Sequence, residues 1–96
     1  MPLSCKLTTP ELQQRKATIL TSLRNKIIDK KELVNGYSYK FRGSDEMLNE
    51  LTEFIKTERM CCDFFKFNLS VQNNEIILEL TGSENAKEFI EKELEM

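Results

Sequence analysis

Apolar residues follow two different spacings along this chain, and the switches between them mark the expected elements. Leu12, Ile19, Leu20, Leu23 and Ile27 recur at steps of three and four, so one face of a helix is apolar. Thr9-Pro10-Glu11 forms its start: a capping hydroxyl, a proline whose missing N–H costs nothing there, and a carboxylate at the positive end of the dipole. The pattern predicts a helix over 10–27, with Gln13, Gln14, Arg15, Lys16 and Arg24 on its other faces. The period then drops to two. Tyr37, Tyr39 and Phe41 alternate with Ser38, Lys40 and Arg42, as in a half-buried strand. Asn35-Gly36 reads as a type I′ turn joining that strand to 31–34, because both residues tolerate positive φ. This turn sets Val34 opposite Tyr37 and Glu32 opposite Tyr39. The tyrosines then fill the sheet core with their hydroxyls at its rim.

Gly43-Ser44-Asp45-Glu46 ends the strand and starts a second helix, with Ser44 as N-cap and Met47, Leu48, Leu51, Phe54 and Ile55 as its apolar stripe. After the adjacent pair Cys61-Cys62 the period returns to two through Phe65, Phe67, Leu69 and Val71. Asn73-Asn74 turns the chain into a strand whose inner residues are Ile76, Leu78 and Leu80. Ser83 is expected to cap a last helix bearing Ala86, Phe89, Ile90 and Leu94. Ser4 to Thr8 fits a brief strand or an extended lead-in. The element order is therefore (β)αββαββα. With both strand pairs local hairpins, it predicts an α+β, two-layer ferredoxin-like sandwich, mainly antiparallel, with helices on one face. In a ferredoxin-like order a first strand through Cys5 would run antiparallel to the strand beginning at Phe65, bringing Cys5 toward Cys61-Cys62.

Ninety-six residues make a single domain over 1–96. No apolar run approaches a membrane span, and Met1 to Ser4 lacks the basic start of a signal peptide, so the expected compartment is cytoplasmic. Fourteen basic and 16 acidic residues, scattered, argue against a nucleic-acid partner. The chain has no histidine, which removes Ser-His and Cys-His catalysis and HExxH zinc sites. Its three glycines form no phosphate-cradling loop. Three cysteines cannot close a disulfide framework.

Chemistry therefore concentrates at Glu58-Arg59-Met60-Cys61-Cys62-Asp63. Leu51, Ile55, Glu58 and Cys62 share one helix face, so Glu58 interrupts an apolar stripe and needs a partner: Arg59, Lys66 or a bound cation. A thiolate is favoured by cations or a helix N-terminus, yet this pair sits at a helix C-terminus beside Glu58 and Asp63. Coordination by a soft cation reverses that balance, because it deprotonates thiols outright. The candidate ligands are Cys5, Cys61 and Cys62, with Glu58, Arg59 and Asp63 as the charged residues around them. Candidate ions are mercury(II), arsenite, copper(I) and zinc. A tetrahedral zinc site would need a fourth ligand from Glu58, Asp63 or a second chain. Two readings compete: structural thiols in a non-enzymatic interaction module, a homodimer using Tyr37, Tyr39 and Ile77 on a free sheet face, and a thiol redox protein. The absence of a base leans away from an enzyme.

Cys5-Lys6-Leu7-Thr8, Asn35-Gly36-Tyr37 and Glu58-Arg59-Met60-Cys61-Cys62 with Phe64 resemble a family of small bacterial proteins with the pattern C-x-L-[ST], G-Y, E-R-x-C-C-P-F. The resemblance spans nearly the whole chain and implies that the three cysteines act together, with a loose link to mercury or heavy-metal resistance. Asp63 stands where the pattern has proline, which exchanges a rigid helix exit for an oxygen ligand.

Overall fold

The computed structural model describes residues 10–61, 65–83, 85–94 and 96, and does not describe the side chains of Leu12, Met60, Cys61 and Glu93. In chain order these residues form α1 (Pro10–Lys26), β1 (Asp29–Leu33), β2 (Gly36–Arg42), α2 (Asp45–Cys61), β3 (Phe65–Gln72), β4 (Glu75–Gly82) and α3 (Ala86–Phe89), which continues as a π-helical turn over Ile90–Leu94. The result is the expected α+β two-layer sandwich, with an antiparallel sheet in the order β1-β2-β4-β3. The expected strand before α1 lies outside the described residues, as does the Thr9 cap.

Period-two alternation decides which face is covered. Tyr39, Phe41, Leu78 and Leu80 are fully buried against Leu23 of α1, Leu51 and Phe54 of α2, and Ile90 and Leu94 after α3. Edge-to-face ring pairs fasten β3 to the helices: Phe54 with Phe67 at 6.3 Å and Phe65 with Phe89 at 5.6 Å. The opposite face carries Lys40 beside Ile77 and Asn68 beside Glu79, and is polar. Tyr37 and Tyr39 are therefore on the helix-covered side, away from Ile77, and cannot form the free sheet face expected of an interaction module.

Three local signals hold. Pro10 opens α1. Met47 donates its backbone N–H to Ser44 Oγ at 3.1 Å, as an N-cap requires. Asn73 turns β3 into β4 in the left-handed region, at φ 52°, which asparagine tolerates.

Three expectations are corrected. The β1–β2 turn is Val34-Asn35, with Leu33 paired to Gly36 and Glu32 to Tyr37, so neither Val34–Tyr37 nor Glu32–Tyr39 is a pair. Gly36 is the first residue of β2, and no described glycine has positive φ. A Cβ on Gly36 would lie 1.8 Å from the Leu80 carbonyl oxygen, so glycine is needed there for close approach of β4. Ser83 is not the cap of α3: Asn85 holds that position without a side-chain bond, and Ser83 accepts from Ala86 N–H through its backbone.

The Tyr39 hydroxyl is not at a rim. Tyr39 is fully buried and its hydroxyl has no hydrogen-bond partner among the described residues. Burial, then the proximity of Tyr37 and Glu91, holds its pKa above the phenolic range. Tyr37 differs: its hydroxyl donates to Glu91, and that bond, helped by burial, pushes its pKa up to about 12. Tyr39→Phe is accordingly expected to leave stability unchanged or raise it by about 1 kcal/mol, since it removes a desolvated group without breaking a bond. Urea unfolding checks this; a loss above about 1 kcal/mol would mean the hydroxyl has a partner.

Candidate functional site

The thiol junction lies at the end of α2. Cys61 is its last residue. The Cys61 side chain, together with Cys5, Cys62 and Asp63, lies outside the described residues, so the surroundings define this end of the molecule. Among the described residues no three His, Cys, Asp or Glu side chains gather as a metal-holding group.

One turn before Cys61 stands Glu58. The stripe reasoning holds: Leu51 and Glu58 are both fully buried, with Ile55 packed against the core between them. A buried carboxylate needs an opposing charge. Neither expected protein partner supplies it. Arg59 is exposed on the outer side of α2, and Lys66 is exposed on β3. Among the described residues an opposing charge comes from Lys16 of α1, whose Nζ lies 3.4 Å from Glu58 Oε1. The same ammonium sits 5.8 Å from the centroid of the Phe89 ring. Burial raises the Glu58 carboxyl above its ordinary range, and the Lys16 charge and hydrogen bond pull against that rise.

Lys16 does not lie on an outer face of α1, contrary to the pattern's expectation. It stands three and four residues before Ile19 and Leu20, so it continues the α1 stripe just as Glu58 continues that of α2. Two opposite charges, each extending an apolar stripe, are the sequence signal that would have paired them. Their long apolar stems pack inward while the charged ends meet.

The cross-helix contacts also give the direction of packing. Lys26 and Ser22, late in α1, meet Glu50, early in α2; Arg15 meets Glu53 and Lys16 meets Glu58. The two helices are antiparallel. Pro10 lies about 9 Å along the axis beyond Lys16, and Cys61 about 4.5 Å beyond Glu58 in the same direction, at 1.5 Å per residue. The start of α1 and the end of α2 therefore share one end of the molecule. Cys5 is five residues from Pro10, a chain reach of at most about 17 Å.

Comparison of the chain with protein-family models, curated proteins and solved structures finds no match. No described helix is long and apolar enough to cross a membrane.

Proposed function

We propose that this protein captures a thiophilic metal or metalloid ion, as cargo rather than as a catalyst, through Cys5, Cys61 and Cys62. The observation that supports this reading is the antiparallel packing of α1 on α2, which puts Pro10, five residues after Cys5, at the same end of the molecule as the end of α2 that bears Cys61. The Lys16–Glu58 pair bears on the choice of ion. With its carboxylate engaged by Lys16, Glu58 is removed from the oxygen donors that could complete a tetrahedral zinc site. Three sulfur ligands suit mercury(II) or arsenite better than zinc. Pairing with Lys16 also offsets the negative charge that Glu58 would otherwise add beside the thiols. A cytoplasmic setting keeps such thiols reduced and available.

Thiol titration of the purified protein, with and without one equivalent of mercury(II), arsenite or zinc, tests the proposal. All three thiols should be shielded by mercury(II) and arsenite; mercury(II) displaces the thiol protons, so its binding releases protons, whereas neutral arsenous acid gives up its hydroxyls as water and releases none. Cys5→Ser should weaken binding at least tenfold, about 1.4 kcal/mol. Unchanged affinity in that variant would show that the pair alone holds the ion.

A further inference from the structure

The two edges of the sheet differ in character. β1 carries Asp29, Lys30, Lys31 and Glu32 in succession, all exposed, the kind of edge that resists pairing with another strand. β3 pairs with β4 on one side and with no other strand among the described residues. Its eight residues include one charge, Lys66, and no proline. Phe67 and Leu69 are only partly covered on the helix side, and Val71 is 57% exposed. We propose that β3 is the edge through which two copies of this chain join, antiparallel about a two-fold axis, into one continuous sheet.

The sequence of β3 is self-complementary in that arrangement. With Leu69 on the axis, Leu69 faces the partner's Leu69 and Phe67 faces the partner's Val71, so the exposed valine gains an apolar cover. On the other side of the sheet Lys66 faces the partner's Gln72 and Asn68 faces the partner's Ser70, so no like charges oppose each other. Alternation with period two keeps every pair on a matching face. The ends of α2 lie at opposite ends of the joined strands. Each copy thus keeps its own thiol site, and the pairing does not depend on metal. An interface of one strand pair is small, so it forms as protein concentration rises.

Sedimentation of the metal-free full chain from about 1 μM to about 1 mM should show a concentration-dependent rise from 11.3 kDa toward twice that mass. Amide exchange at Phe67, Leu69 and Val71, whose N–H groups point away from β4, should slow over the same range. Val71→Lys, at an exposed position, should raise the dimer dissociation constant at least tenfold. Val34→Lys, on the fully exposed β1–β2 turn, should leave it unchanged. A monomer at all concentrations would overturn the proposal. So would a dimer indifferent to Val71→Lys, or protection of these amides that is independent of concentration, which would assign the edge to a segment of the same chain.

Discussion

Gly36→Ala is expected to cost about 3 kcal/mol of folding stability, enough to remove a large share of what a domain of this size possesses. The cause is contact between backbones. The added methyl would lie 1.8 Å from the Leu80 carbonyl oxygen and 2.8 Å from Thr81 Cα, both main-chain atoms of the central strand β4. Neither can move without disturbing the pairing of Gly36 with Thr81 and of its neighbour Tyr37 with Leu80. A side chain could rotate away; a sheet ladder cannot. The prediction separates two explanations of this glycine. Were Gly36 needed for positive φ, Gly36→Asn would largely restore stability, since asparagine tolerates that region. Because close approach is the constraint, Gly36→Asn should be at least as damaging as alanine. Urea unfolding followed by circular dichroism decides it; an alanine variant within about 1 kcal/mol of the natural protein would refute the steric account.

The second large effect lies in the Lys16–Glu58 pair, and it is asymmetric. The Glu58 side chain is 1% exposed and that of Lys16 13%. If the carboxylate is removed, the lysine can extend its ammonium toward water. If the ammonium is removed, the carboxylate stays buried. Lys16→Met is therefore expected to cost about 3 kcal/mol near neutral pH, and Glu58→Gln about 1 kcal/mol. The double variant Lys16→Met/Glu58→Leu should recover most of the loss, because neither charge remains to be desolvated. Equal losses in the two single variants would contradict this account.

The pH dependence follows from the same burial. The folded protein raises the Glu58 carboxyl above its ordinary value of 4.5, so the folded state holds that proton more tightly than the unfolded chain does. The resulting stability is fully present below the ordinary value and is lost as pH rises through the folded one. Relative to Glu58→Gln, the natural protein should lose stability as pH is raised from about 4.5 toward neutrality. In Lys16→Met the opposing pull of the ammonium is gone. The loss should then be steeper, and the variant should approach the natural protein at the acid end. Unfolding free energies measured across that range test the sign directly.

The chain's own sequence determined what depends on near neighbours. Pro10 and Ser44 start helices by supplying or sparing hydrogen bonds within one turn, and these starts are where the residues indicated. Alternation along β2, β3 and β4 sorted inner from outer residues, because the pleat reverses direction at every residue. Composition alone excludes imidazole from any ligand set, as the chain has no histidine. Tertiary structure decided whatever depends on a distant segment. Gly36 looked like a turn residue, and only the approach of β4 gave it a place within a strand. Alternation put Tyr39 on the inner face, but only the packed core decided that its hydroxyl is buried and not at a rim. Glu58 advertised the need for a counter-charge without naming one. Its partner, 42 residues earlier, came from the antiparallel packing of α1 on α2, a direction fixed by the summed burial of both helices on one sheet and carried by no single turn of either.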